Sequence, residues 1–144
     1  VQNHPNVLNV IPGRVELGVD MRGIDQGSLD RMERAFKAAV RESCKKRGVE
    51  YVAEKINSIP PISMSESVED GLEHAAKRLG ISSRRMPSGA GHDAMSIAEI
   101  CDSGMVFIPC RGGVSHNPSE HAEITSICDG ARVMYEYLKG ETAK

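Results

Sequence analysis

The sequence lacks a region dominated by one sign of charge. Its 144 residues include 18 Lys and Arg and 20 Asp and Glu, which gives a formal net charge of −2. No basic stripe is present to neutralise phosphates, which argues against nucleic acid or an anionic membrane as the main partner. The length and an apolar content of 40% fit one ordinary domain or two small ones with a hydrophobic core.

Membrane-spanning segments and cysteine pairs are also missing. No apolar run approaches the length of a membrane span, and no charged segment followed by an apolar one opens the chain. These absences predict a cytoplasmic protein without a membrane partner. The cysteines form no CxxC pair, which argues against a zinc ribbon or a secreted disulfide scaffold and predicts reduced, mostly buried thiols. They are Cys44, Cys101, Cys110 and Cys128.

The chain opens with a predicted β-hairpin. Residues 15–21 alternate between apolar and mostly polar side chains, the pattern of a strand with one buried face. Residues 7–11 predict a second strand, and Pro12 and Gly13 supply the turn between them. On this interpretation Arg22 lies on the polar side and Asn9 lies opposite it in the hairpin. Because the chain starts at Val1 almost directly in a strand, we expect it to be an excised piece.

A helix and a third strand complete the first predicted domain. Ser28 offers an N-cap, apolar residues recur at helical spacing after it, and Gly48 predicts the end of the helix. Residues 50–56 then predict a strand, and the Pro60-Pro61 pair predicts a boundary. Residues 1–60 therefore predict a small α+β sandwich with one helix-covered sheet.

The second half has a different pattern. Residues 68–79 and 123–139 predict amphipathic helices. The continuous apolar run at 105–108 is typical of a strand that is buried on both faces of a parallel sheet. Residues 61–144 therefore predict helices packed on a mostly parallel sheet that has too few strands to be complete.

Two histidines lie in glycine-rich loops on either side of that apolar run. His116, in GGVSHNP, follows the C-terminal end of the predicted strand, where open α/β sheets bind ligands, and neutral imidazole can bind a metal. The same pattern fits an ordinary loop histidine in a turn built by Gly and Pro. Since no HxxxH, HxH or CxxC partner lies nearby, the local sequence does not show whether His116 is a metal ligand or an ordinary loop histidine.

His92 follows the small residues SGAG. Asp93 can cap a helix that begins near residue 94, and Gly89 and Gly91 allow a ligand to approach the backbone closely. Their N–H groups can donate to a carboxylate or to a developing oxyanion. The alternative is a plain glycine-rich helix entry with an exposed histidine.

Arg22 and Asn9 are candidates for binding an anionic substrate. A guanidinium group matches the geometry of a carboxylate and can form a two-pronged pair with it. Alternatively, Arg22 forms a surface ion pair with Asp20, and Asn9 stabilises a turn.

Three motifs together are more specific than any one of them. NVIPGRVELGVDMR, PSGAGHDA and MVFIPCRGGVSHNPSEHA, in this order and spacing, resemble metal-dependent amidases of the hydantoinase/carbamoylase type, within the wider peptidase M20 group. This group includes N-carbamoyl-L-amino acid hydrolases, allantoate amidohydrolases and β-ureidopropionases. The resemblance covers nearly the whole chain and implies an α/β fold. In this fold, a partial α+β lid domain, which forms a homodimer, comes first. The C-terminal part of a zinc-peptidase-like catalytic domain with a mostly parallel sheet follows.

The resemblance also implies a role for each candidate residue. It implies that the substrate is a small ureido or N-acyl amino acid or allantoate and that the complete enzyme carries two divalent metal ions, zinc or manganese. His116 resembles the last metal ligand, His92 the histidine that stabilises the tetrahedral intermediate, Asn9 and Arg22 the lid residues that grip the substrate carboxylate, and Gly89 and Gly91 the backbone beside the substrate.

One departure from the family pattern limits these expectations. In the family, a preceding segment supplies most metal ligands and the glutamate base, and this chain contains no His-x-Asp and no Glu-Glu pair. A single imidazole does not hold a catalytic metal. We therefore expect a C-terminal fragment with little or no tight metal binding and no activity alone. The alternative is a noncatalytic dimerisation or binding module that retains the fold.

Overall fold

The computed structural model describes residues 1–141 and contains more helix than strand. The elements are β1 (Gln2–His4), β2 (Arg14–Glu16), α1 (Gln26–Arg47), α2 (Glu66–Arg78), α3 (Asp93–Ala98) and α4 (Ile124–Glu141), with a 3₁₀ turn at Arg111–Gly113. The chain divides into two compact units, Val1–Pro61 and a second that begins at Ile62. Their identification as lid and catalytic portions stays a prediction.

The hairpin of the first unit differs from the predicted one. β1 and β2 pair antiparallel, with Gln2 opposite Glu16 and His4 opposite Arg14. The predicted strand at 7–11 is wrong, because these residues belong to the connection between the paired strands, which the bond from Gly13 N–H to the His4 carbonyl closes at 2.9 Å. β2 also ends before the predicted 15–21 strand does, and 50–56 form no strand. An alternation of apolar and polar side chains does not by itself make a strand, because a strand also needs a neighbouring strand for its backbone hydrogen bonds.

Helix α1 is the longest element of the first unit. Its N-cap is Asp25, whose carboxylate accepts from the Ser28 backbone N–H at 2.8 Å, so the prediction of Ser28 as the cap is wrong. The predicted end is confirmed, because Gly48 adopts the left-handed conformation with φ 63° and donates to carbonyls of the last turn.

Glu33 links α1 to the segment that follows it. Its carboxylate accepts hydrogen bonds from Lys37 Nζ at 2.5 Å and Lys55 Nζ at 3.0 Å. These two bonds lower the pKa of Glu33 to about 2. Because the folded pKa lies below the ordinary value of 4.5, this group's contribution to stability is complete above about pH 4.5 and is lost as the pH falls toward 2.

The pKa of Glu33 therefore tests the contact between Lys55 and α1. We expect the Glu33 carboxyl carbon to titrate by NMR with a midpoint near 2, and Lys55→Met to raise this midpoint partway to 4.5. Lys46→Met is the control, because Lys46 lies on α1 but makes no hydrogen bond with Glu33. A midpoint near 4.5 in the unmodified chain would contradict the bridge.

In the second unit, α2 packs against α4. The buried core residues are Ala75, Ala76 and Val133, and the partly buried side chains around them are Leu72, Leu79, Ile81 and Tyr137. The apolar positions of α2 recur at helical spacing, which is the pattern that predicted this helix and its buried face. Both predicted helices of this half are confirmed within a few residues of their ends.

The apolar run at 105–108 lies beside these helices without joining a sheet. A Cβ atom built on Gly104 would come within 2.7 Å of Val68 on α2, and one on Gly130 of α4 would come within 2.7 Å of Ile108. Among residues 1–141 the only sheet is the antiparallel pair β1–β2. The predicted mostly parallel sheet is therefore not formed by these residues, and Phe107 remains 47% exposed.

The cysteines are free thiols, but they are not mostly buried as predicted. Cys44 and Cys110 are partly exposed, and Cys101 and Cys128 are exposed. The reason is the small size of the core, which has only three buried residues among those described. Over the same described range, no helix combines the length and apolar character needed to cross a bilayer.

Candidate active site

His92 lies at the start of α3, where it is the N-cap residue. The predicted cap, Asp93, is instead the first residue of the helix. The half-buried imidazole places Nε2 2.7 Å from Ser88 Oγ, and Ser88 Oγ accepts from the Ala90 N–H at 3.2 Å. The edge of the His92 ring meets Phe107, with ring centroids 5.5 Å apart and planes at 62°. His92 is therefore held by a hydrogen bond and by an aromatic contact.

Gly89 and Gly91 border open space. A Cβ atom built on either residue would have no heavy atom within 4 Å, apart from its chain neighbours. Neither residue is recorded with a positive φ, so local backbone conformation does not require glycine there. A methyl group would therefore fit at either position, and the role of the two glycines stays a prediction.

His116 occupies a strained position in its loop. It is the only residue other than glycine with a positive φ, 56°, among residues 1–141. Such a conformation costs about 1–2 kcal/mol for a side chain with a Cβ atom. The His116 backbone N–H donates to Glu120 Oε2 at 2.9 Å, and the Glu120 N–H donates to the Asn117 carbonyl at 2.9 Å. Strain of this kind is concentrated at functional sites.

The two ends of the His116 loop are tied together. The Arg111 backbone N–H donates to the His121 carbonyl at 2.7 Å, and Arg111 Nη2 donates to Glu123 Oε1 at 2.7 Å. His121 Nε2 lies 3.6 Å from the same Glu123 oxygen. Between these closures His116 is exposed. The loop therefore presents the imidazole of His116 on a closed and hydrogen-bonded support.

The described residues do not form a metal site by themselves. Among residues 1–141, no group of three or more His, Cys, Asp or Glu side chains is arranged to hold a metal ion. Catalytic zinc requires three protein ligands and an open position. The divalent metals implied by the resemblance therefore do not fit these residues alone, and His116 offers one candidate ligand.

The predicted anion-binding residues lie in the first unit. Arg22 Nε donates to both carboxylate oxygens of Asp20 at 3.2 and 3.1 Å, and Nη2 donates to Oδ2 at 2.8 Å. These bonds lower the pKa of Asp20 and raise that of Arg22. The surface ion pair considered from the sequence is thus present. Asn9 is exposed in a turn.

Three residues that contact the histidines were missed by sequence reasoning. They are Ser88, Phe107 and Glu120. Ser88 precedes His92 by four residues and Glu120 follows His116 by four, in irregular loops where no periodic pattern marks them. The Asn117-Pro118 pair, which typically forms a turn, was the available signal for the contact between Glu120 and His116.

Comparison with known proteins agrees with the motifs. The sequence model of peptidase family M20/M25/M40 matches residues 5–140. An N-carbamoyl-L-amino-acid amidohydrolase of Pseudomonas sp. (strain NS671) is 39% identical over 134 residues, which are 93% of this chain and 32% of the relative. An allantoate amidohydrolase of Bacillus subtilis (strain 168) is 36% identical over 134 residues, again 93% of this chain and 32% of the relative.

A solved structure shares the fold. The crystal structure of an amidase of the hydantoinase/carbamoylase family from Burkholderia multivorans superimposes with a TM-score of 0.89 at 38% identity, over 94% of this chain and 33% of that one. The chain thus spans about a third of the length of the relatives it matches. The resemblance seen in the three motifs is confirmed. The chain belongs to peptidase family M20/M25/M40.

Proposed function

We propose that this chain is the C-terminal portion of a metal-dependent amidohydrolase that cleaves linear C–N bonds of N-carbamoyl amino acids or allantoate. The observation that carries the proposal is the set of relatives, which includes N-carbamoyl-L-amino-acid amidohydrolases, an allantoate amidohydrolase and a ureidoglycolate hydrolase of Oryza sativa subsp. japonica. The compounds in these names share a ureido group and a carboxylate. A common site must therefore recognise both groups.

His92 and the glycine loop are proposed to act on the ureido group. Attack on its carbonyl places negative charge on the oxygen, and a donor that is already oriented stabilises this charge without reorganising. The hydrogen bond with Ser88 and the contact with Phe107 support this role, because they restrain the His92 ring before substrate binds. The lack of a side chain at Gly89 and Gly91 supports close approach of the substrate to the backbone.

Arg22 and Asn9 are proposed to bind the substrate carboxylate. The Nε and Nη2 atoms of Arg22 donate hydrogen bonds to the Asp20 carboxylate, and these bonds orient the guanidinium. The planar guanidinium matches the geometry of a carboxylate, which supports this role. The first unit is proposed to be part of a lid that also forms a homodimer.

His116 is proposed to supply one ligand of a pair of divalent ions, zinc or manganese. Its restrained, exposed position supports this role. The remaining ligands would come from residues outside this sequence, because the described residues contain no group of three donors. The bound ions would polarise the ureido carbonyl.

Release of ammonia tests the proposal. We expect the natural gene product that carries this sequence to release ammonia from N-carbamoyl amino acids or allantoate. The isolated 144-residue chain should release none with zinc or manganese, since a single imidazole does not hold a catalytic metal.

The two possible failures of this assay have different meanings. Metal-dependent turnover by the isolated chain would contradict its expected inactivity. No release by the gene product from any ureido substrate would favour the noncatalytic dimerisation or binding module. The observation that favours this second candidate is the absence of a three-donor group among residues 1–141.

A further inference from the structure

We infer that Ser88 is a positioning residue that fixes the ring of His92 and holds it in the tautomer with the proton on Nδ1. The orientation and the tautomer follow from the geometry of the loop alone. The expected effect on hydrolysis rests in addition on the proposed function. Ser88 is half-buried and lies four residues before His92.

The hydroxyl of Ser88 has one hydrogen to donate and two acceptors within reach. His92 Nε2 lies at 2.7 Å and the Ala90 carbonyl oxygen at 3.5 Å. Hydroxyl hydrogen bonds are usually 2.5–3.0 Å long, so the nitrogen is much the better acceptor. The Ala90 N–H donates to Ser88 Oγ at 3.2 Å, which further directs the hydroxyl hydrogen toward the imidazole.

The opposite tautomer leaves the Ser88 hydroxyl hydrogen without a close acceptor in the loop. If Nε2 carried the proton, Ser88 Oγ would accept from both Nε2 and the Ala90 N–H, and its own hydrogen would be left to the carbonyl at 3.5 Å. This hydrogen would then lie at the outer limit of hydrogen bonding. Donation from Ser88 to Nε2 gives the hydroxyl hydrogen an acceptor at 2.7 Å, and it requires the proton of neutral His92 to be on Nδ1.

The consequence is that Nδ1–H becomes the donor that His92 offers to a ligand. Among residues 1–141, Nδ1 has no hydrogen-bond partner, whereas Nε2 is occupied by Ser88. The edge contact with Phe107 restrains the ring plane as well. A donor held in this way needs less ordering when charge develops on a substrate oxygen.

The tautomer is measured in the 144-residue chain with ¹⁵N-labelled histidine, by long-range ¹H–¹⁵N NMR at a pH where histidine is neutral. The His92 signals are identified by their loss in His92→Gln. We expect Nδ1 of His92 to be protonated in the unmodified chain, the Nε2-protonated form to appear in Ser88→Ala, and the Nδ1 form to return in Ser88→Thr, which keeps a hydroxyl. Unchanged signals from the other four histidines show that the fold is intact.

Protonated Nε2 in the unmodified chain would overturn the inference, even if Ser88→Ala does not fold. An identical tautomer in Ser88→Ala and the unmodified chain would overturn it too. In the natural gene product, we expect Ser88→Ala to lower kcat about 5- to 10-fold with little change in KM, and Ser88→Thr to restore it.

Equal kcat values in Ser88→Ala and the unmodified enzyme would overturn the catalytic part of the inference. If the gene product hydrolyses nothing in any form, the proposed function fails. The tautomer result then still decides the role of Ser88 in holding His92.

Discussion

Replacing His116 by alanine should reduce kcat/KM of the natural gene product by at least about 100-fold, because loss of groups that merely support a metal ligand already costs 10- to 100-fold. The effect follows from the proposed role of His116 as a ligand. The measurement is ammonia release from the best ureido substrate, together with the metal content of the purified protein. His121→Ala is the matched control, since His121 is an exposed histidine of the same loop and pairs with Glu123. We expect its activity to stay within a few-fold of the unmodified enzyme.

A glycine at the same position separates function from stability. His116 has a φ of 56°, a conformation that glycine adopts without steric cost. We therefore expect His116→Gly to abolish activity and to raise the free energy of unfolding by about 1 kcal/mol or less, because the relief of strain is partly offset by the greater freedom of the unfolded chain. Unchanged activity in both His116 variants would contradict the assigned role.

Glu120 should give an intermediate result. Its carboxylate accepts from the His116 backbone N–H and supports the left-handed conformation. Removing this support in Glu120→Ala leaves the imidazole in place but less well oriented. A fall in activity of about 10-fold, smaller than that of His116→Ala, is therefore expected.

Helices could be predicted from the sequence because their pattern depends on local hydrogen bonds. The apolar spacing in α2 and the left-handed Gly48 after α1 are each determined by residues close together in the sequence. The N-cap of α1 was misplaced by three residues, because Asp25 and Ser28 are both good cap formers and only the backbone geometry chooses between them.

Strands could not be predicted in the same way because each needs a partner. Residues 50–56 and 105–108 have the composition of strands, but among residues 1–141 neither has a neighbouring strand to pair with. Val52 and Ile56 are accordingly 97% and 93% exposed. The hydrophobic pattern of these segments describes a sheet face, and such a face becomes buried only when adjacent strands and a covering layer are present.

In the candidate site too, features marked by the local sequence were predicted, and contacts across the loops were not. The loops around His92 and His116 were found from their Gly, Ser and Asn content, and the pairing of Arg22 with Asp20 was foreseen as an alternative. The contacts of Ser88 and Glu120 were not found, because a hydrogen bond across an irregular loop depends on backbone directions that no repeating pattern records.

Adding one methyl group at Gly71 should destabilise the second unit. Gly71 lies on α2, and a Cβ atom there would come within 2.8 Å of Tyr137 Cδ2 and closer still to Cε2. Alanine in a helix interior is normally favoured over glycine by about 1 kcal/mol, whereas overpacking costs about 1–3 kcal/mol. We expect the clash to win and to lower the free energy of unfolding by about 1 kcal/mol. Chemical denaturation followed by far-UV circular dichroism measures the change.

Gly140→Ala is the matched control on the facing helix. Within residues 1–141, its new Cβ atom would meet only Arg78 Nη2, at an ordinary contact distance of 3.7 Å, so stability should stay the same or rise. Tyr137→Ala should remove the clash, and Gly71→Ala should then be neutral or stabilising in that background. If Gly71→Ala stabilises the unmodified chain, the Tyr137 ring moves aside at little cost. The packing of α2 on α4 would then not depend on the position of this ring.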